Sequence, residues 1–226
     1  MINIVKNILK VFDEEGLWDE GLELIGSWCF LLYQKHLKVR NYPLRTLDID
    51  FLIPFPYKGK KKIDLIAKLE KLGFILNFNP DGSFWLWNAE LKVDFLSPKI
   101  GRETKKSQNI KQLSVRTTPL RFMNILLENK IIIKEDNIRI AIPAPLNFCL
   151  HKLLIAQRRK DKSKKLKDME QAIYILEIVD EKQFKTTYNS FPKKWQKYIL
   201  QSLKEAKIQI PLQEKNINKI LDTLQS

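Results

Sequence analysis

The sequence predicts an α+β fold: a mixed β-sheet with helices, followed by a helical C-terminal region. Two observations support this prediction. Before residue 143, short segments alternate apolar and polar residues, which is the pattern of half-buried strands. From Pro145 onward every apolar pattern has helical spacing instead. We therefore divide the chain into residues 1–142 and residues 143–226, and its 44% hydrophobic residues suffice for a core.

The elements of the first region follow from local patterns. The predicted helices cover residues 3–14, 28–38 and 63–72, the last ending at Gly73. The predicted strands cover residues 22–25, 47–53, 74–78, 84–87 and 91–96, with a turn at 79–82. Residues 98–118 are polar and lysine-rich, which indicates a mobile loop. Two isoleucine-rich runs flank residues 135–137, which predicts a hairpin.

The second region begins at a proline-rich segment, Pro143-Ala144-Pro145. Proline is favourable at a helix start, since its missing N–H would be unpaired there anyway. A polar connection at 160–165 then leads into a second helix. Further helices are predicted near residues 181–189, 192–206 and 212–224.

Three aspartates have the spacing of a metal site. Asp48 and Asp50 alternate with apolar residues, so in a strand they lie on one face, roughly 6–7 Å apart. Asp94 repeats the pattern on a second predicted strand. Carboxylates on one sheet face repel each other unless a cation lies between them, and hard divalent ions prefer such oxygen ligands. The alternative is that these are solvent-facing residues that never meet. The apolar residues expected to face the core are Leu47, Ile49 and Phe51.

A glycine and a serine stand between the strand at 22–25 and the helix that follows it. A strand, Gly26-Ser27 and a helix start leave unpaired backbone N–H groups at the positive end of a helix, which is a site for phosphate. Gly26 allows close approach, and the Ser27 hydroxyl adds a donor.

In this order, Gly26-Ser27, Asp48-Ile49-Asp50 and Asp94 resemble the motifs of the nucleotidyltransferase superfamily of polymerase-beta-like fold. The resemblance covers roughly residues 20–175. Asp48 lies 21 positions after Ser27, which exceeds the spacing in compact members, and we interpret residues 36–44 as an inserted loop. The Arg-Thr-x-Asp-Ile-Asp form is most similar to bacterial stand-alone members, including the abortive-infection and toxin-type enzymes.

This resemblance implies a nucleotidyltransferase catalytic core at 1–142 and a helical region at 143–226 that contributes to the site and to acceptor binding. Asp48, Asp50 and Asp94 would be catalytic and would hold Mg²⁺, as two ions. Gly26 and Ser27 would bind the nucleotide.

Helical spacing places Lys152, Ala156 and Arg159 on one stripe, and Asp168 follows on the next helix. Toxin-type relatives have a similar pattern, in which the lysine is thought to hold the triphosphate and the later aspartate to support the site. The resemblance therefore implies that Lys152, Arg159 and Asp168 are nucleotide-binding. The alternative is two ordinary helices with solvated cationic faces.

The charge of the chain is strongly basic. Forty Lys and Arg against 26 Asp and Glu give a net charge of +14. The surplus is concentrated at 58–62, 158–167 and 193–197, and such a field attracts polyanions. RNA, and tRNA in particular, is therefore a candidate acceptor. The composition of an AT-rich or thermophilic genome is the competing explanation.

The sequence leaves several functions open. Besides RNA, the acceptor of a nucleotide from an NTP could be a protein or a small molecule such as an aminoglycoside. A catalytically inactive basic RNA-binding protein is a third alternative, and an antitoxin or other partner protein is an expected partner of a toxin-like member. We expect no membrane span, no zinc site and a cytoplasmic location, since apolar runs are short and only two His and two separated Cys are present.

Overall fold

The structure of the protein, a computed structural model, describes residues 2–43, 46–101 and 106–225. The chain forms two compact units, Met1–Leu32 with Pro43–Pro143, and Tyr33–Tyr42 with Ala144–Ser226. The inserted loop predicted at 36–44 extends to Leu44, which lies outside the described residues together with Arg45 of the Arg-Thr-x-Asp-Ile-Asp segment. No helix within the described ranges is long and apolar enough to cross a bilayer.

The first unit contains the strands. In chain order they are β1 Glu23–Ile25, β2 Asp48–Leu52, β3 Ile75–Phe78, β4 Phe84–Trp87, β5 Lys92–Pro98, β6 Gln108–Ile110, β7 Val115–Leu120, β8 Lys130–Glu135 and β9 Ile138–Pro143. The helices are α1 Asn3–Glu14, the first part of α2 Gly26–His36, α3 Leu65–Glu70 and α4 Asn124–Leu127.

The main sheet is mixed, as the sequence predicted. Its strand order is β1-β2-β5-β4-β3, and β7 pairs with the second half of β5 and also with β6. The strand β5 runs parallel to β2 and β7 and antiparallel to β4. The predicted hairpin is confirmed as the separate antiparallel pair β8-β9.

One face of the main sheet is packed into the core. Ile49, Phe51, Val93 and Phe95 are all fully or almost fully buried. The amphipathic helix α1 contributes to the same core, because the rings of Phe12 and Phe51 lie 4.3 Å apart. The opposite face therefore carries the alternating polar residues of β2 and β5.

The second unit is helical, as predicted from Pro145 onward. It contains the last turn of α2 with α5 Pro145–Ala156, α6 Lys162–Ile175, α7 Glu181–Ser190, α8 Lys193–Gln209 and α9 Glu214–Gln225. The helix α5 packs against α6 and α8. The ring of Phe148 on α5 contacts the ring of Tyr33 edge-on, with 5.2 Å between the ring centroids. Both cysteines of the chain, Cys29 and Cys149, are buried.

The prediction of a mobile loop at residues 98–118 is wrong for the part that the structure describes. Residues 108–110 and 115–120 are β6 and β7, and residues 102–105 lie outside the described residues. The polar side chains of this stretch belong to the sheet: Ser97 and Thr117 share a buried 2.6 Å hydrogen bond, and Gln108 donates to the Pro98 carbonyl. The prediction from polarity was therefore wrong, because these polar side chains form hydrogen bonds within the sheet.

Leu47 was also predicted wrongly as a core residue. The strand β2 begins at Asp48, and Leu47 is 73% exposed. Its carbonyl still accepts a hydrogen bond from the Lys92 N–H at 2.7 Å. The alternating pattern therefore extends one residue beyond the buried layer.

Candidate active site

The three aspartates of the sequence motif lie on one face of the main sheet. Asp50 on β2 is the direct partner of Asp94 on β5, and Asp48 is the partner of Lys92. Within each strand, residues two apart point to the same face. Neighbouring strands lie about 4.8 Å apart, so the register places Asp50 and Asp94 side by side. The alternative in which these aspartates never meet does not apply to Asp50 and Asp94.

Asp94 forms an ion pair with Lys92 on this face. Its side chain is 18% exposed, and its Oδ2 accepts from the Lys92 Nζ at 2.7 Å. Burial raises the pKa of Asp94 above its usual range, Lys92 opposes that rise, and the charge of Asp48 adds to it. The influence of Asp48 on this pKa shows that the two carboxylates interact electrostatically.

The Gly26-Ser27 segment borders the same face. Gly26 follows Ile25, the β1 partner of Asp50, and begins α2 with φ of +70°, a value that L-residues rarely adopt. A Cβ at Gly26 would overlap Oδ2 of Asp50. The absence of a side chain therefore allows the Asp50 carboxylate to lie against the start of α2, where Ser27 is almost buried.

The donor set on this face fits a hard divalent cation. Three carboxylates supply only oxygen ligands, and Asp50 occupies a space that any side chain at Gly26 would fill. The carboxylates are not already gathered as ligands: within the described residues no three His, Cys, Asp or Glu side chains are grouped to hold one ion. In this arrangement Lys92 supplies the positive charge beside Asp94.

Sequence reasoning missed Lys92, although a signal was present. Lys92 and Asp94 alternate with Val93, so the strand pattern already placed both on one face. The structure adds that the Lys92 ammonium lies 4.9 Å from the ring centroid of Trp85 on the neighbouring strand. That contact depends on the pairing of β4 with β5, which no local pattern reveals.

The residues predicted from the second region meet in the second unit. Lys152 Nζ donates to Asp168 Oδ1 at 2.7 Å, and Arg159 Nε donates to Oδ2 at 2.6 Å. Both Lys152 and Asp168 are buried, whereas Arg159 is partly exposed. The predicted cluster therefore exists as a buried ion pair with a second cation at its edge.

Two details of this region differ from the prediction. The helix α5 ends at Ala156, so Arg159 reaches Asp168 from beyond the helix and not from a shared helical stripe. The helix α6 begins at Lys162, within the stretch predicted as a connection, because the Asp161 side chain caps the N–H groups of Ser163 and Lys164.

The electrostatics of the cluster follow from burial. Desolvation alone would raise the pKa of Asp168, but the adjacent Lys152 and Arg159 hold that pKa below its usual range. Burial, assisted by Lys152, lowers the pKa of His151 to about 3, so this histidine is neutral at physiological pH. The Asp168 carboxylate is thus the charged centre around which both cations are arranged.

Comparison with known proteins agrees with this architecture. A family model described as nucleotidyltransferase matches residues 3–196. The crystal structure of an antigenic nucleotidyltransferase-like protein from Paracoccidioides brasiliensis is similar, with a TM-score of 0.52 and 11% identity, over 96% of this chain and 93% of that chain. The solution structure of the antibiotic-resistance factor ANT(2'')-Ia has a TM-score of 0.45 and 11% identity, over 81% of this chain and 86% of that chain. No curated protein matches the sequence.

Because the family match spans most of the sequence, this chain belongs to the nucleotidyltransferase family, which confirms the resemblance seen in its motifs. It is accordingly a transferase enzyme that takes an NTP as substrate and transfers a nucleotide. Nucleotidyltransferases generally use divalent metal ions. The α+β fold with a helical C-terminal part is confirmed as well.

Proposed function

We propose that this enzyme transfers an NMP from an NTP to a hydroxyl group of RNA, with tRNA as the first candidate acceptor, in a Mg²⁺-dependent reaction that releases pyrophosphate. The observation that supports this proposal most strongly is the register of β2 and β5. It sets Asp50 beside Asp94, on the face that also carries Asp48 and borders Gly26.

In the proposed mechanism, Asp48 and Asp50 would hold Mg²⁺ for binding of the nucleotide phosphates, and Asp94 would join them as a ligand on the acceptor side. The bound ions would supply the positive charge that stabilises the attacking and leaving oxygens. The acceptor oxygen forms a bond to the α-phosphorus while the bond between that phosphorus and the bridging oxygen of the pyrophosphate breaks. Asp94 is proposed to take the hydroxyl proton, since it lies beside Asp50 on the same face.

The phosphate end of the nucleotide is proposed to lie at the start of α2. The backbone N–H groups there and the Ser27 hydroxyl provide donors at the positive end of a helix. In the second unit, Lys152 is proposed to offset charge on the departing pyrophosphate, with Arg159 and Asp168 orienting it. This assignment gives residues 1–142 the catalytic core and residues 143–226 a part in nucleotide and acceptor binding.

RNA is the proposed acceptor because of the charge of the chain. A net charge of +14 attracts a polyanion and opposes the approach of a polycationic aminoglycoside. Several of the lysines are exposed, among them Lys193, Lys194 and Lys197 on α8. We place the protein in the cytoplasm, in keeping with a chain of only two cysteines, both buried.

The test is transfer of label from each α-phosphate-labelled NTP, with Mg²⁺, to total RNA, a protein extract or an aminoglycoside. The control is the variant Asp48→Ala/Asp50→Ala. Label on a tRNA-sized band that disappears in the control supports the proposal. Label on protein or on the aminoglycoside alone would replace RNA with that acceptor, and absence of NTP binding would indicate an inactive RNA-binding protein.

A toxin-like role is part of the same proposal. Expression of the wild-type chain is then expected to arrest growth of a bacterial host, whereas Asp48→Ala/Asp50→Ala is not. A partner protein that restores growth would be the proposed antitoxin. Normal growth with active enzyme would remove the toxin-like role and leave the transferase.

A further inference from the structure

Two tryptophans continue the carboxylate face on the side away from Gly26. Trp85 on β4 is the direct partner of Asp94, and Trp87 is the direct partner of Lys92. Direct partners in an antiparallel pair present their side chains to the same face. Trp85 and Trp87 therefore lie on the face of Asp48, Asp50 and Asp94, one strand beyond Asp94.

These indole rings are not needed for the core of the β3-β4 hairpin. Phe84 and Leu86, which alternate with the tryptophans, are buried on the core face, whereas Trp87 is 44% exposed and Trp85 is half-buried. Exposed aromatic rings that adjoin a polar site commonly mark a binding surface. The Lys92 ammonium lies against the Trp85 ring and connects this surface to Asp94.

The strand order separates the two substrates of the proposed reaction. The start of α2, where the nucleotide phosphates are proposed to lie, follows β1 at one side of β2. Asp94 and then the tryptophans lie on the other side, in the order β2, β5, β4. An acceptor that approaches Asp94 along the sheet from the side of β4 therefore passes over the two tryptophans.

We propose that Trp85 and Trp87 form a stacking surface for the terminal base of a single-stranded RNA acceptor, and that this contact positions the RNA hydroxyl at Asp94. The inference rests on the proposed function and names the acceptor side of that site. Nucleobases stack on aromatic side chains without regard to sequence. The net charge of +14 favours a polyanionic acceptor such as RNA over a polycationic one.

The test measures RNA binding separately from transfer. Fluorescence anisotropy follows a short single-stranded RNA with a 5′ fluorophore and a free 3′ hydroxyl as it binds the full chain without NTP. Trp87→Ala is expected to weaken this binding about 5- to 150-fold, the range for loss of one base–aromatic stack. Trp87→Phe should restore most of the affinity, and NTP affinity should be unchanged in both variants.

Phe78→Ala is the matched control. Phe78 belongs to the same hairpin and is 70% exposed, but it is the partner of Phe84 and so points to the opposite face. The Phe78→Ala variant should bind the RNA as tightly as the wild type does. An equal loss in Phe78→Ala and Trp87→Ala would overturn the proposal, because the effect would then come from the hairpin and not from the carboxylate face.

The stacking proposal also fails if the wild type does not bind the RNA or if Trp87→Ala binds it normally. Labelled NTP added to the same samples separates this failure from failure of the proposed function. Transfer of label to RNA that is unaffected in Trp87→Ala would leave the transferase intact and remove the stacking surface. A Trp87-dependent RNA affinity without transfer to RNA would preserve the surface and remove the proposed reaction.

Discussion

Asp50 and Asp94 are direct partners across the parallel strands β2 and β5. A shift of the pairing by one residue would turn one of the two carboxylates toward Phe51 and Phe95 in the core. Burial of those apolar neighbours therefore fixes which face the carboxylates take, and the observed register sets Asp50 beside Asp94. The arrangement of the candidate active site is thus a consequence of how the core packs.

Asp94→Asn should abolish turnover and leave NTP affinity largely unchanged. The amide keeps the shape of the side chain but can neither accept the proton nor supply a second anionic oxygen. We expect kcat to fall by about 100-fold or more, the usual contribution of a general base. Label-transfer kinetics and calorimetric NTP binding measure the two quantities, and normal turnover would show that Asp94 is not catalytic.

Gly26→Ala should impair activity through Asp50. Its Cβ would overlap Oδ2 of Asp50, and the φ of +70° strains any L-residue by about 1–2 kcal/mol. Gly73→Ala is the matched control, because Gly73 has a φ of +86° but nothing lies within 4 Å of its added Cβ. Both variants should lower the free energy of unfolding, but only Gly26→Ala should lose NTP affinity and turnover. Equal activity in the two variants would contradict the role of Gly26.

Glu23 should make stability depend on pH. Burial raises its pKa from 4.5 to about 8, and its Oε2 has no hydrogen-bond partner among the described residues. Below pH 4.5 the carboxyl is protonated in both states. Between about pH 4.5 and pH 8 the unfolded chain ionises while the folded chain keeps the proton, so stability falls as pH rises through that window.

Glu23→Gln should remove this pH dependence, because the amide stays neutral throughout. Urea denaturation at about pH 5 and about pH 8.5 measures the free energy of unfolding under the two conditions. Each unit by which the pKa differs between the folded and unfolded states corresponds to about 1.4 kcal/mol. The wild type should lose more stability between the two conditions than Glu23→Gln does. Parallel pH profiles would show that Glu23 is ionised in the folded protein.

Asp168→Asn should destabilise the second unit. The change leaves the buried Lys152 ammonium without its counter-charge, and breaking a buried ion pair from one side costs about 3–5 kcal/mol. Asp161→Asn is the control on the same helix, since Asp161 is exposed and asparagine also caps helices well. Urea denaturation followed by circular dichroism compares the two. Similar midpoints for both variants would contradict the buried pair.

Local patterns predicted the strands and the identity of the carboxylates. Alternation is visible in Asp48-Ile49-Asp50 and in Val93-Asp94-Phe95 because each strand has one buried face. It could not show that Asp50 and Asp94 are partners, or that Trp85 lies beside Asp94, because both depend on strand order. The pairing of strands that are distant in the sequence cannot be predicted from the pattern of a short segment.

Burial of polar groups explains the remaining differences. Thr117 and Gln108 are buried because they hydrogen-bond within the sheet, so their polarity wrongly indicated a loop. Lys152 was predicted from the resemblance to toxin-type relatives, whereas its hydrogen bond to Asp168 depends on the packing of α5 against α6. The sequence thus shows which residues are polar, but it did not predict their hydrogen-bond partners.

The most direct test of the candidate active site is calorimetric NTP binding with and without Mg²⁺, for the wild type and for Asp48→Ala/Asp50→Ala. Asp222→Ala, an exposed aspartate on α9, is the matched control. We predict Mg²⁺-dependent binding in the wild type and in Asp222→Ala, and none in the double variant. Undiminished Mg²⁺-dependent binding in Asp48→Ala/Asp50→Ala would contradict the assignment of the carboxylate face as the nucleotide site.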